Sequence, residues 1–138
     1  MTSYLKDLVD AVAQAKCEEL PSEFDPKSMS FGKAPAVEAV LKEKSVKLLD
    51  GLKAAGANNG FDLVCSGEPA LFYMRIANDD SMMLHQEWIA ECVKRGIFFS
   101  SHHNHFMNYA VSDADIKHTI EVADEAFKIV KKAHPEAF

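Results

Sequence analysis

The sequence predicts a two-layer α+β domain in which a small, mainly antiparallel sheet is covered by helices. Three observations carry this. Short apolar and aromatic runs come in neighbouring pairs, 61–65 with 70–76 and 97–99 with 105–108, each pair parted by a polar turn. Strong helical periodicities bracket the second pair, at 81–95 and 112–132. The resulting order is helix, helix, strand, strand, helix, strand, strand, helix, which keeps strand pairs apart from helices. The strand-helix-strand element around 81–95 leaves one parallel neighbour open as an alternative.

Composition sets the bounds. A chain of 138 residues that is 48% apolar fits one domain with a proper core. Its 15 Lys and Arg are outnumbered by 21 Asp and Glu, for a net charge of -6, which argues against nucleic acid. No apolar run approaches the roughly 20 residues of a membrane span, and no apolar stretch follows a basic start as in a secretory signal. The three cysteines, Cys17, Cys65 and Cys92, are far apart and odd in number. They fit buried thiols in a reducing cytosol better than a disulfide framework or a zinc site. The expectation is a cytoplasmic protein.

Residues 3–20 read as a thin helix, with Leu5, Leu8, Val9 and Val12 at spacings of three and four, Ser3 as N-cap and Pro21 as stop. Its apolar stripe suits either this chain's own core or another domain. Residues 21–34, punctuated by Pro21, Pro26 and Gly32, form an unusually long connection. A second helix is expected over 35–55, with Val37, Leu41, Ser45, Leu48, Leu52 and Ala55 on one stripe and Lys42, Glu43, Lys44, Lys47, Asp50 and Lys53 facing away. Gly56 and Asn58-Asn59-Gly60 then reverse the chain. The strand at 61–65 turns through Ser66–Pro69 into the stronger strand at 70–76, whose near-continuous apolar run marks it as central. Asn78–Ser81 cap the next helix, with Leu84, Trp88, Ile89, Cys92 and Val93 as its apolar face and Gly96 as its stop. Ser112 caps the last helix, and Ile116, Ile120, Ala123, Phe127 and Val130 form its stripe.

Chemistry-bearing residues concentrate in the turn between the last two expected strands. Three of the six histidines lie there, and the candidates for the substrate side are His102, His103, Asn104 and His105. Arg75 is a weaker candidate, because an arginine at a strand end holds a carboxylate bidentately, although Asp79 and Asp80 are near enough to pair with it instead. A His-His-x-His run can also ligate zinc or nickel, yet three ligands within four residues rarely reach tetrahedral geometry. The plain alternative is that His102 and His103 are solvated and His105 is half buried. No Ser/His/Asp set can be assembled from spacing, and the carboxylates read as helix caps. No catalytic, cofactor-binding or metal residue is therefore assigned.

The run Gly96-Ile-Phe-Phe-Ser-Ser-His-His-Asn-His-Phe-Met-Asn-Tyr-Ala-Val-Ser-Asp-Ala-Asp-Ile116 resembles the end of class III aminotransferases, closest to the glutamate-1-semialdehyde aminomutase group. The matching elements are Lys94-Arg95-Gly96-Ile97, the histidine turn, and the helix start Ser112-Asp113-Ala114-Asp115-Ile116. Leu48-Leu49-Asp50-Gly51-Leu52 is similar to the family's Leu-x-x-Gly-Leu helix, and Phe72–Ile76 to its central small-domain strand. Tyr4–Glu19 is more weakly similar to the helix after the catalytic lysine segment. The resemblance covers most of 36–132.

The resemblance implies an aminotransferase small domain-like fold at 35–138, preceded at 1–34 by a helix and connection that lie against a missing large, pyridoxal-phosphate (PLP)-binding domain. It implies a transferase or isomerase that is a cytoplasmic homodimer in full form. The substrate it implies is an amino acid or amino ketone, over which this small domain closes. The Schiff-base lysine, phosphate loops and pyridine partner of the family have no counterpart in this sequence. No cofactor is therefore expected on this chain alone, and none of the aminotransferase activity. The alternative is a standalone, non-catalytic binding module whose His-rich turn binds a metal.

Overall fold

The computed structural model describes residues 34–137. The helix expected at 3–20 and nearly all of the connection at 21–34 lie outside the described residues. Helix α1 spans Ala34–Asn58, strand β1 Leu63–Glu68, strand β2 Leu71–Ile76, helix α2 Met83–Lys94, strand β3 His105–Phe106 and helix α3 Asp113–Ala133; a short 3-10 turn, Pro135–Ala137, follows. The strands form one sheet in the order β1-β2-β3, antiparallel throughout. The parallel neighbour left open by the sequence is not formed. The fold class is the expected one: helices on one side of a small antiparallel sheet.

Period-two burial along β2 decides which side. Phe72, Met74 and Ile76 are buried, while Leu71 and Arg75 alternate outward. The sheet meets the helices through β1, which packs on α1, and β2, which packs on α2; α3 packs on both α1 and α2. Leu52, Met74, Trp88, Ile116, Phe127 and Val130 are fully enclosed there. Burial of this kind contributes about 25 cal/mol for each Å² of apolar surface withdrawn from water.

The ends of the elements differ from expectation for local reasons. Helix α1 runs through Gly56 to Asn58, because the Gly56 carbonyl accepts the N–H groups of Asn59 and Phe61 at 2.9 Å each and the reversal falls on Gly60 at φ 88. The Asn59 side chain donates to the Ala55 carbonyl at 2.8 Å and to Asp124 at 2.7 Å, tying the end of α1 to α3. Strand β1 starts at Leu63 rather than 61 and continues to Glu68, opposite Leu71, so the hairpin loop is only Pro69-Ala70.

The expected strand at 97–99 is absent. Gly96, at φ 87, ends α2 in a Schellman arrangement in which the Gly96 and Ile97 N–H groups bond to the Val93 and Cys92 carbonyls at 3.0 Å each. The Ser100 N–H goes to a side chain, the His105 ring. These amides are spent on the helix end and an imidazole, so no ladder forms. Phe99 is buried all the same, and that gives the segment its apolar signature.

Candidate functional site

The polar turn 100–104 hangs between the end of α2 and the two residues of β3, and its geometry is set by His105. Pairing with Phe72 across the sheet brings the His105 ring over the Phe72 ring, with centroids 5.0 Å apart and planes 12° apart. Phe99 meets the same imidazole edge-on at 5.6 Å. Nε2 accepts the Ser100 N–H at 3.1 Å, which requires that nitrogen to be unprotonated. The hydrogen of the neutral ring therefore sits on Nδ1, which faces the Phe72 backbone without a well-formed hydrogen bond. Burial pushes the His105 pKa below the ordinary imidazole range, against the opposing effect of the Phe72 backbone.

The other candidates separate from it. His102 and His103 are exposed; the Ser101 hydroxyl touches His102 Nδ1 at 2.5 Å, and His103 Nδ1 lies 3.2 Å from the Asn104 carbonyl. No carboxylate among the described residues orients the far nitrogen of His102, so Ser101 and His102 do not make an activated nucleophile. Arg75 is exposed on the outer sheet face, and it has no ion pair among the described residues. The suggested partner Asp79 is buried and engaged elsewhere: it accepts the His85 N–H at 2.8 Å and the Ser81 hydroxyl at 3.0 Å, and so caps α2. Among the described residues no group of His, Cys, Asp and Glu is placed to hold a metal, since His105 turns inward while its neighbours face solvent.

An open groove of about 460 Å³ adjoins the turn. Phe72, Phe98 and Phe106 give it apolar walls; Asn104, His105, Asp115 and Thr119 supply polar atoms. Two of the candidates, Asn104 and His105, thus share a concavity, while His102, His103 and Arg75 do not line it. Phe98 is 82% exposed and Phe106 69%. Across the Phe106 edge, the outer sheet face shows Val64 and Leu71 as further exposed apolar side chains.

His85 was missed by the sequence reading. It is fully buried on α2 beside Trp88, with ring centroids 5.8 Å apart, and neither of its ring nitrogens has a hydrogen-bond partner among the described residues. Burial pushes its pKa down to about 4, against the pull of Asp79. The available signal was spacing: His85 lies three residues before Trp88, four before Ile89 and seven before Cys92, on the stripe that is buried, whereas the expected Val93 is exposed.

The described lysines show no cofactor cradle. Lys47, Lys94, Lys117 and Lys128 pair with Asp113, Glu91, Glu121 and Asp124, and Lys44 donates to the Tyr109 and Val111 carbonyls at 2.9 and 2.6 Å. None of the described lysines lines the groove.

Comparison with known proteins connects this fold to a cofactor-dependent family. No family model matches the chain. An aminopentol aminotransferase from Sphingopyxis macrogoltabida is 30% identical over 80 residues, which are 58% of this chain and 19% of that protein. The solved PLP internal aldimine form of the Sphingopyxis sp. MTA144 FumI protein matches with a TM-score of 0.66 and 28% identity, over 68% of this chain and 23% of that one. The relationship is to PLP-dependent aminotransferases. The chain spans about a fifth of the length of the curated relative it matches, 19%. The α+β fold described above is that of the matched portion of the FumI protein.

Proposed function

We propose that this chain is the C-terminal small-domain portion of a PLP-dependent class III aminotransferase, of the glutamate-1-semialdehyde aminomutase-like kind, and that it closes over the substrate cleft in the full enzyme. The observation that carries this is the match to the FumI structure, at a TM-score of 0.66 and 28% identity over 68% of this chain. On this reading the large domain lies against the outer sheet face, where Val64, Leu71 and Phe106 are exposed. An apolar face of that kind is costly to leave in water and suits a partner domain. The substrate is an amino acid or amino ketone, and the groove beside Asn104 and His105 contributes to its outer wall. The full enzyme is a cytoplasmic homodimer.

By itself the chain holds no PLP and transfers no amino group. The cofactor supplies an electron sink for bonds at the amine-bearing carbon, and it needs a lysine, an anion cradle and a partner for its ring nitrogen. Lys47, Lys94 and Lys128 are paired instead with carboxylates, and Lys44 with backbone carbonyls.

The test is to mix the purified chain with PLP, remove the excess, reduce with borohydride and map any labelled lysine. Scattered weak labelling without amino-group transfer is expected. One stoichiometrically labelled lysine together with transfer would overturn the reading. Sequencing upstream of Met1 supplies a second check, since the reading requires a continuous frame that encodes a lysine-bearing large domain.

A further inference from the structure

We infer that His105 is a proton-sensitive latch: the neutral ring holds the 100–104 turn closed through Ser100, and proton uptake releases the turn at the rim of the adjoining groove. The inference stands on this chain's own residues and does not depend on the parent enzyme proposed above. The latch is a single contact of defined polarity. The Ser100 N–H can only donate, and it donates to His105 Nε2 at 3.1 Å. A proton on Nε2 turns the acceptor into a donor and sets two N–H groups against each other. The ring cannot swing away to relieve this, because Phe72 stacks on one face and Phe99 meets it edge-on. Movement must come from the segment between Ser100 and Asn104.

The surroundings oppose the imidazolium. Within the turn, His103 acts against a charge on His105. From α2, His85 lies within electrostatic reach of His105, and its own neighbour Asp79 is engaged in capping the helix. On β2, Arg75 lies on the outer sheet face, opposite to the face on which His105 pairs with Phe72. Across the groove, Asp115 at the start of α3 is held by Ser112, whose N–H at 2.8 Å and hydroxyl at 2.7 Å both donate to its Oδ2. Among the described residues no carboxylate is one of the groups that act on His105. Burial lowers its pKa in the closed state, so the closed turn is fully favoured above the ordinary imidazole value and loses ground as pH falls through the lowered one. Opening is local, since among the described residues the turn's further hydrogen bond to the sheet is a long one, from the Tyr73 hydroxyl to the Ser101 carbonyl at 3.4 Å.

The experiment is amide NMR on the full chain between pH 8 and 5. The Ser100 amide should titrate together with the His105 ring, below pH about 6.5. Its exchange protection, corrected for intrinsic rate, should fall about tenfold for each pH unit across that titration. The Ile97 amide, bonded to Cys92, should hold its protection and serves as control. His105→Gln keeps an acceptor at the same reach and cannot titrate, so its Ser100 protection should be level with pH. His105→Phe keeps the stack without an acceptor, and its Ser100 protection should be low at every pH. Should the Phe variant not fold, wild type and the Gln variant decide between them. Ser100 protection that ignores the His105 titration in wild type, or that still falls in His105→Gln, overturns the latch.

Discussion

Trp88 donates its indole N–H to the Ala123 carbonyl at 3.2 Å, from helix α2 across to helix α3, while lying fully buried. Its ring is stacked on Phe127 at 4.7 Å and on Phe99 at 5.4 Å, each with planes 17° apart. Phe99 in turn meets His105 and His105 stacks on Phe72, so one aromatic column runs from α3 through α2 to the sheet. The column joins the helix layer to the latch of the turn, and a packing change at Trp88 reaches the groove through it.

Trp88→Ala should therefore cost about 3–5 kcal/mol of unfolding free energy, the range for removing a large aromatic from a core. Trp88→Phe keeps the stacking partner and loses the indole hydrogen bond with some volume, for a cost of about 1–2 kcal/mol. Urea denaturation followed by far-UV circular dichroism measures both. Equal costs for the two variants would show that stacking contributes nothing.

Much of this architecture was legible because it rests on periodicity. Ile116, Ala123, Phe127 and Val130 recur at helical spacing in α3 and are all buried. Phe72, Met74 and Ile76 alternate in β2 and are all buried. The failures lie where a side chain replaces a backbone partner. At 97–99 the apolar triplet looks like a strand, yet the Ser100 amide is taken by an imidazole five residues on, and no pattern of residue types encodes that bond. Lys44 was placed on the solvent face from its charge, but its ammonium reaches the Tyr109 and Val111 carbonyls. A long flexible stem lets a lysine leave the face on which its Cβ starts. At the candidate turn, the plain reading from sequence left His102 and His103 solvated and His105 half buried, which is how the structure buries them. The strand expected at 105–108 is formed over His105–Phe106 alone, where it pairs with Phe72 and Leu71.

Gly67 is the position at which the hairpin is most sensitive. It sits in β1 at φ 95, and a Cβ there would come 2.6 Å from the Leu71 carbonyl oxygen, a backbone atom with little room to retreat. Gly67→Ala combines a left-handed strain of about 1–3 kcal/mol with that clash. The hairpin should loosen first, so hydrogen exchange should accelerate in 63–76 ahead of α3. Uniform acceleration across the fold, or none, would contradict the local account.

The start of α3 provides a smaller and cleaner effect. The Ser112 hydroxyl accepts the Asp115 N–H at 3.2 Å, and the Asp115 carboxylate accepts the Ser112 N–H at 2.8 Å, a reciprocal capping box. Hydrogen bonds from Ser112 hold the Asp115 pKa below the usual carboxylate range. Ser112→Ala should destabilise the fold by about 0.5–2 kcal/mol, and Ser112→Asp, which restores an acceptor, should recover most of it. Denaturation midpoints of the two variants measured side by side check this. A Ser112→Asp variant no better than Ser112→Ala would show that the cap is not the source.

His85 sets the acid side of the stability profile. Burial holds its pKa at about 4 in the folded chain, below the ordinary value of about 6.5 that an unfolded chain restores. Between those values the unfolded state binds the extra proton, so unfolding free energy declines as pH falls. The contribution is complete above the unfolded value and is lost progressively down to the folded one, on the order of 3 kcal/mol in all. His105 acts in the same direction, its pKa being lowered by burial too. His134 acts in the opposite sense: the hydrogen bond to Glu87 raises its pKa, so its contribution is present below the unfolded value and fades as pH rises through the folded one. Urea midpoints of wild type should therefore drop between pH 7 and 4. Because neither His85 ring nitrogen has a partner among the described residues, His85→Leu removes a desolvated polar group without breaking a side-chain bond. Replacing such a group by an apolar one of similar size is close to neutral or stabilising. His85→Leu should thus be at least as stable as wild type at pH 7 and should lose markedly less stability on acidification. A variant clearly weaker than wild type at pH 7, with an unchanged acid slope, would show that the imidazole nitrogens are satisfied in the folded chain and that the acid dependence arises elsewhere.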